Sequence, residues 1–198
     1  MLVRNAYDKM IINAREMMAM FAFNVDDEIS LRLLDERYAG ELLQLINHSR
    51  EDLREWLPWL DSTTTPRHVA EFIQGAWMMY EERSGLRLGI FYHGRLAGMV
   101  GFNTIDWANR IGIIGYWLGS HFQGYGIMTR SVTAIIDYGF NQLNLNRIEI
   151  RAAFQNDKSR AIPERLGFQI EGKIRQGEWL YDHFVDLVMY GMLASEWE

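Results

Sequence analysis

The sequence predicts an α/β fold in which one mixed β-sheet carries helices on its faces. Three observations lead to this prediction. Strand and helix signals are interleaved in the order β-α-α-β-β-β-α-β-α-β-β. The helical segments place apolar residues three and four positions apart, whereas the strand segments are short apolar or alternating runs. The chain has 198 residues, 48% of them hydrophobic, which suits one domain with a substantial core.

The first half of the chain begins with a strand and ends with a hairpin. Residues 29–34 alternate as in a short strand, and residues 38–49 place leucine and isoleucine at helical spacing. Residues 53–66 are aromatic and interrupted by proline, so we expect a loop or a broken helix. A Thr-Pro pair then begins a helix over residues 66–83. Residues 86–106 predict a hairpin that turns at a His-Gly-Arg triplet.

The second half alternates strands and helices around a glycine-rich turn. Residues 110–119 predict a strand, and after the glycines residues 127–140 predict a helix of about four turns. Residues 147–154 predict a further strand. Residues 157–167 predict a short helix that ends at a glycine C-cap. The last two predicted strands are residues 168–175 and 183–193.

Composition excludes several classes of function. The net charge of −6 argues against nucleic acid as the main partner, because phosphate binding needs a basic surface, and it is compatible with a cationic substrate. The absence of cysteine excludes disulfides, thiolate metal sites and a cysteine nucleophile, and it fits a reducing, cytoplasmic compartment. No apolar run is long enough to span a membrane. The histidines lack metal-ligand spacing, so we expect no metal site.

The N-terminal segment leaves two alternatives open. Residues 1–20 have no continuous apolar region and no clear cleavage site, so we do not interpret them as a signal peptide. Methionines at positions 17, 18 and 20 suggest an extension before a folded domain that spans residues 21–198. The alternative is an ordinary N-terminal helix.

The glycine-rich turn, QGYGIMT at residues 123–129, precedes the longest helix of the second half. A helix N-terminus presents unpaired N–H groups and the positive end of the helix dipole, and glycines let a phosphate approach them. A triphosphate loop would need lysine after the glycines, and a dinucleotide fingerprint would need glycine where Thr129 stands. A diphosphate cradle and a turn without a ligand are the two alternatives.

Two spaced motifs resemble those of one enzyme family. His121-x-x-Gly124-x-Gly126 resembles the Arg/Gln-x-x-Gly-x-Gly/Ala signature of the Gcn5-related N-acetyltransferases, although His121 departs from the usual first residue. Residues 156–168, NDKSRAIPERLGF, resemble the Asn-x-x-Ser…Glu-x-x-Gly-Phe element of the same family. Since the main donors of the glycine loop are backbone amides, the departure at His121 is tolerable.

The resemblance extends to a subgroup and implies a fold. Three stretches together look like the subgroup that acetylates the N-termini of ribosomal proteins: FQGYGIMT at residues 122–129, residues 145–168, and LVMY at residues 187–190. The likeness covers about residues 21–198. It implies a mixed central sheet of about seven strands, about four flanking helices, and a splayed strand pair at the cofactor site.

The resemblance implies acetyl-coenzyme A as co-substrate and assigns the residues that bind it. The strand ending at Tyr116, Trp117 and Leu118 is expected to pair with the pantetheine arm, and the N–H of Leu118 to polarise the thioester carbonyl. Asn156 is expected to bond the same arm, or alternatively to serve only as a helix N-cap. The backbone amides expected to hold the diphosphate are those of Gln123, Gly124, Tyr125, Gly126, Ile127 and Met128.

The resemblance also suggests an acid and a base. Ser159 is expected to protonate the leaving thiolate, its alternative being a solvent-facing helix residue. Glu178 lies 19 residues further on, the spacing of the acid–base pair in the close subgroup. It lies in a turn-like segment beside Trp179, and an apolar neighbour would raise its pKa. A terminal α-amine, with a pKa of about 7.7–8.0, needs only a weak base acting through water. The alternative for Glu178 is a solvated loop carboxylate.

The sequence leaves several alternatives for the acceptor amine. Trp56, Trp59 and Tyr181 are expected to line the acceptor cleft, with core packing as the alternative for the tryptophans. The acidic residues considered for attracting a cationic peptide are Asp61, Asp106 and Asp182. The leading hypothesis is the N-terminal α-amine of a protein. The alternatives are a small amine (a polyamine, an aminoglycoside or an amino-nucleotide) and a non-catalytic acetyl-coenzyme A-binding module. The aromatic content is compatible with a homodimer.

Overall fold

The structure, a computed structural model, describes residues 22–197. The strands are β1 Ala22–Asn24, β2 Ile29–Arg32, β3 Leu86–Tyr92, β4 Arg95–Asp106, β5 Ile111–Leu118, β6 Arg147–Ala153, β7 Gln169–Leu180 and β8 His183–Leu193. The helices are α1 Ala39–His48, α2 Arg50–Arg54, α3 Pro66–Glu81, α4 Ile127–Asn141 and α5 Asp157–Arg165. The extension or helix predicted for residues 1–20 lies outside the described residues, so the domain start at residue 21 stays a prediction.

The α/β fold class is confirmed, with small differences in the number of elements. The eighth strand is β1, whose three residues are too short to give a periodic signal in the sequence. The aromatic segment predicted as a loop or broken helix, residues 53–66, starts in the last two residues of the five-residue α2 and contains a 3-10 turn at Leu60–Ser62. The His93-Gly94 turn joins β3 to β4 with φ angles of 46° and 76°, the left-handed conformation of a tight hairpin.

The eight strands form one sheet in the order β1-β2-β3-β4-β5-β6-β8-β7. Every neighbouring pair is antiparallel except β5 and β6, which run parallel. Their pairing extends only from Ile111 opposite Arg147 to Ile114 opposite Ile150, although both strands continue further. The two strands therefore separate at their carboxyl ends, which confirms the predicted splayed pair.

Helices cover the two faces of this sheet with separate apolar layers. Helix α4 buries Val132, Ile135 and Ile136 against one face. Helices α1 and α3 bury residues such as Leu42 and Ile73 against the other face. Both layers follow from apolar residues spaced three and four apart, which form one stripe on a helix. None of the helices within residues 22–197 is long and apolar enough to cross a membrane.

Candidate functional site

A cavity of about 720 Å³ lies where β5 and β6 separate. Its walls come from α1, the segment between α2 and α3, α3 itself, strands β3 to β8 and the start of α5. Seven residues singled out from the sequence line it: Trp56, Trp59, Tyr116, Trp117, Asn156, Ser159 and Glu178. The fold thus brings into one space residues that are more than 120 positions apart in the chain.

The end of β5 has a free backbone edge on the side of the gap. The N–H of Gly119 donates to the carbonyl of Ala97, which continues the ladder toward β4, at 2.8 Å. Because successive N–H groups of a strand point in opposite directions, those of Leu118 and Tyr116 point away from β4. They face the gap, where pairing with β6 has already ended at Ile114. The side chain of Leu118 packs against the core, so Leu118 faces the gap with its backbone.

The glycine-rich turn before α4 has the backbone conformation that glycine allows. Gly124 and Gly126 have φ angles of 87° and 71°, and a Cβ added at either would meet no atom within 4 Å. Gly126 is the N-cap residue of α4 and has no side chain with which to cap the first amides. The turn therefore offers open space beside unpaired N–H groups, which fits a diphosphate.

The other residues of the turn contribute in different ways. The side chains of Ile127 and Met128 are buried, whereas that of Tyr125 is exposed. The backbone N–H is therefore the group that all three residues can offer to a ligand. The N–H of Gln123 donates to the carbonyl of Ser120 at 3.3 Å and is already engaged. The side-chain carbonyl of Gln123 accepts a hydrogen bond from Lys158 at 3.1 Å, which ties the turn to α5.

The start of α5 is connected to β5 by hydrogen bonds across the gap. Asn156 is the N-cap of α5, and its Oδ1 accepts a hydrogen bond from the N–H of Ser159 at 3.0 Å. The Tyr116 hydroxyl donates to the backbone carbonyl of Ser159 at 2.8 Å, and the Ser159 hydroxyl donates to the Tyr116 oxygen at 3.4 Å. Burial raises the pKa of Tyr116 well above its ordinary value, so the phenol keeps its proton.

Glu178 approaches the cavity from β7, at an irregularity in the strand. The pairing of β7 with β8 shifts between Ile174 and Glu178, and Gln176 in that bulge has a φ of 50°. The turn-like segment expected at Glu178 is this bulge, which redirects side chains locally. Burial raises the pKa of the Glu178 carboxyl above its ordinary value. No cation within residues 22–197 forms an ion pair with it.

The aromatic segment forms one wall of the cavity. The rings of Trp59 and Trp117 lie 6.1 Å apart between centroids. Tyr181 does not line the cavity itself, but its hydroxyl donates to the carbonyl of Leu57, a lining residue, at 2.5 Å. The guanidinium of Arg54 lies 4.0 Å above the Tyr181 ring. Tyr181 therefore holds the β7–β8 hairpin against the wall.

The acidic residues expected to attract a cation are engaged by other partners. Arg54 donates two hydrogen bonds of 2.9 Å to Asp61. Asp182 is paired with His183 at 2.7 Å. Asp106 accepts hydrogen bonds from Asn109 in the β4–β5 turn. No group of three or more metal-ligating side chains occurs in the part of the chain that the structure describes.

Several polar residues of the cavity were not predicted from the sequence, among them Arg151. Arg87 in β3 and Asn103 in β4 both line it. Arg87 alternates with the buried Leu86 and Leu88, a pattern that normally marks a solvent-facing side chain. Only the tertiary packing of α3 over that face shows that Arg87 is largely covered.

Comparisons with known proteins agree with this geometry. A model of the acetyltransferase (GNAT) domain family matches residues 28–169. The chain is 39% identical over 180 residues to "Putative ribosomal N-acetyltransferase YdaF" of Bacillus subtilis (strain 168), covering 90% of this chain and 98% of that protein. It resembles the structure of RimL, a ribosomal L7/L12 alpha-N-protein acetyltransferase in complex with coenzyme A, with a TM-score of 0.84, 29% identity and coverage of 87% and 97%.

A further similar structure holds a different second ligand. It is the microcin C7 self immunity acetyltransferase MccE in complex with acetyl-CoA and AMP, with a TM-score of 0.81 and 32% identity. The match covers 85% of this chain and 94% of that one.

Proposed function

Since the chain belongs to the acetyltransferase (GNAT) domain family and is an N-acetyltransferase that uses acetyl-coenzyme A, we propose that its acceptor is the N-terminal α-amine of a ribosomal protein. One observation carries the proposal: Glu178 lines the same cavity as Ser159 and the end of β5. A base, an acid and the free strand edge are thus available to one reaction. The relatives named as ribosomal acetyltransferases support the choice of acceptor.

Binding of the co-substrate is assigned to backbone groups on both sides of the gap. Acetyl-coenzyme A supplies an acetyl group activated as a thioester. The amides of the turn before α4 hold the diphosphate, and the edge formed by Tyr116, Trp117 and Leu118 pairs with the pantetheine arm. Asn156 bonds the same arm beside its role as the N-cap of α5. The residues whose amides hold the diphosphate are Gly124, Tyr125, Gly126, Ile127 and Met128, with Gln123 fixing the turn to α5.

Three groups of the chain act at the reacting atoms in this proposal. The N–H of Leu118 faces the gap and donates to the oxygen on which negative charge develops. Glu178 accepts a proton from the amine, and its raised pKa brings it closer to the pKa of its substrate. As the C–N bond forms and the C–S bond breaks, the hydroxyl of Ser159 turns from Tyr116, donates its proton to the leaving thiolate and recovers a proton from solvent. Tyr116 keeps Ser159 in place through the hydrogen bond to its backbone carbonyl.

The acceptor enters past the aromatic wall. Trp56 and Trp59 line that side of the cavity, and Tyr181 fixes the hairpin behind it. Flat aromatic side chains supply apolar contact area without competing for the amine. We expect the first residues of a peptide to enter along this wall with the α-amine directed toward Glu178.

The test is a turnover screen with the full-length chain and acetyl-coenzyme A. Peptides matching ribosomal-protein N-termini are compared with the same peptides carrying a blocked α-amine and an internal lysine. We expect acetylation of the free α-amine only, located by fragment mass spectrometry. Turnover confined to polyamines or aminoglycosides would contradict the proposal. The expected homodimer and cytoplasmic location stay predictions.

A second candidate acceptor is an amine-bearing nucleotide. The specific observation behind it is the AMP bound in the structure of the self immunity acetyltransferase, whose fold this chain shares. The tryptophan-lined wall offers aromatic faces on which a base can stack. By contrast, Arg87 lines the cavity without an acidic partner within residues 22–197 and disfavours a polyamine. An aminoacyl adenylate analogue in the same screen distinguishes this candidate.

A further inference from the structure

Arg87 is a cation in the cavity that has no acidic partner within residues 22–197. It lies on β3 and lines the cavity beside Phe72, with its guanidinium carbon 5.5 Å from the ring centroid. Its Nε is buried, and no group within residues 22–197 accepts a hydrogen bond from that atom. No carboxylate of the described residues forms an ion pair with it. Burial alone lowers the pKa of Arg87, without an acidic neighbour to offset it.

Two glycines continue the row of Arg87 across the sheet. Arg87 is opposite Gly101 on β4, and Gly101 is opposite Gly115 on β5. This row crosses three strands and forms part of the cavity lining. A Cβ on Gly115 would collide with the side-chain amide of Asn103, which also lines the cavity. The Leu86 carbonyl and the Asn103 amide occupy the places where these glycines would carry a Cβ, so the glycines let a neutral hydrogen-bonding group pack close to the sheet beside Arg87.

Of the three charged side chains that line the cavity, one has an ionic partner among the described residues and two do not. Arg151 already donates to Glu149 at 2.9 Å. Arg87 and Glu178 are the two lining residues of opposite charge that have no ionic partner among the described residues. Both side chains are half-buried, and a charge partly withdrawn from water without a counter-charge is unfavourable. A ligand with two opposite charges would satisfy both residues at once.

We propose that Arg87 binds an anionic group of the acceptor, a carboxylate or a phosphate, while the amine of the same molecule lies near Glu178. The inference rests on the proposed function, because it divides one acceptor between two ends of the same cavity. A guanidinium recognises both anions with paired, charge-assisted hydrogen bonds. For a peptide acceptor, the anion is an acidic side chain close to the N-terminus. For a small acceptor, it is a phosphate on the amine-bearing molecule.

The test compares two matched pairs of acceptors with the full-length enzyme. One pair is a hexapeptide beginning Ser-Asp and the same peptide beginning Ser-Asn. The other pair is phosphoethanolamine and ethanolamine. We expect kcat/KM to be about tenfold or more higher for the anionic member of at least one pair. Which pair shows the preference identifies carboxylate or phosphate as the anion.

The variants assign the preference to one side chain. Arg87→Gln should reduce the ratio of kcat/KM between the anionic and the neutral acceptor to near one, while kcat/KM for the neutral acceptor stays within about threefold of wild type. Arg87→Lys should keep part of the preference for the anionic acceptor. Arg67→Gln is the control, since Arg67 is an exposed cation on α3 that pairs with Glu71. Thermal unfolding of Arg87→Gln should occur at or above the wild-type temperature, because the substitution removes a half-buried charge that has no acidic partner within residues 22–197.

The results distinguish a failure of the proposed peptide acceptor from a failure of the role proposed for Arg87. If no peptide is acetylated, the peptide proposal fails, and the phosphoethanolamine pair decides the role of Arg87. If neither pair is acetylated, calorimetric binding of the Ser-Asp peptide and of phosphoethanolamine in the presence of coenzyme A decides it. Equal values for both members of each pair, or a preference that survives Arg87→Gln, would overturn the inference.

Discussion

The hydroxyl of Tyr116 donates to the backbone carbonyl of Ser159 across the gap between β5 and α5, at 2.8 Å. The two residues are 43 positions apart in the chain. The Ser159 hydroxyl donates back to the same phenol oxygen. This contact fixes the position of a proposed acid relative to the strand edge proposed to bind the co-substrate.

Replacing Tyr116 with phenylalanine should lower kcat by about three- to tenfold. A single buried hydrogen bond contributes about 0.5–1.5 kcal/mol, and its loss leaves the Ser159 carbonyl without this donor. The apolar ring remains, so the fold should persist. Steady-state kinetics at saturating acetyl-coenzyme A measure the effect. An unchanged kcat would mean that the contact has no part in positioning Ser159.

Replacing Gly124 with valine should abolish binding of coenzyme A while the protein remains folded. The φ of 87° costs a residue with a Cβ about 1–2 kcal/mol, more when the side chain is β-branched, and the new methyl groups would occupy the space beside the amides. Calorimetric titration with coenzyme A measures the binding. Gly94→Val is the matched control, because Gly94 has a φ of 76° and open space but lies in the β3–β4 turn. It should lower stability by a similar amount and leave binding intact.

Replacing Glu178 with glutamine should lower kcat by about a hundredfold, the lower end of the usual range for general base catalysis. The effect is modest because an α-amine is already partly neutral near pH 7.5. The affinity for coenzyme A should stay unchanged, which calorimetry checks. Glu71→Gln, on the exposed surface of α3, serves as the control and should retain full activity. A Glu178→Gln enzyme of normal kcat would remove this residue from the mechanism.

The raised pKa of Glu178 also predicts a dependence of stability on pH. Because the folded-state pKa lies above the unfolded value, its contribution to the free energy of unfolding is present below the unfolded pKa. That contribution is lost as the pH rises through the folded pKa. Glu178→Gln should therefore gain stability relative to the wild type between acidic and neutral pH. Chemical denaturation at pH 4.5 and pH 7.5 tests the sign of this change.

The elements that the sequence predicts well are those with a local pattern. The stripe of Val132, Ile135 and Ile136 marks α4 by its spacing alone. The glycines at 124 and 126 predict a turn, since their backbone conformation is unfavourable for other residues. The side chains that follow such patterns face the core because burial of apolar area drives the packing.

The features that the sequence did not predict depend on contacts between distant segments. The bond from Tyr116 to Ser159 and the cover that α3 places over Arg87 have no local signature. The bulge that directs Glu178 exists only in the pairing of β7 with β8. A periodic pattern along the chain predicts whether a side chain faces the core or the solvent, but it does not predict which residue of another segment packs against that side chain.

The hairpin between β7 and β8 offers a last prediction about acceptor binding. Tyr181→Phe removes the hydroxyl that donates to the Leu57 carbonyl and leaves the ring under Arg54. The wall that carries Trp56 and Trp59 then loses one attachment, at a cost of about 0.5–1.5 kcal/mol. The KM for the acceptor should rise about three- to tenfold, whereas the KM for acetyl-coenzyme A should not change, because the diphosphate turn lies at the start of α4, away from this hairpin. A rise in both constants would instead indicate a general loss of folding, and a constant acceptor KM would show that the hairpin does not support the wall.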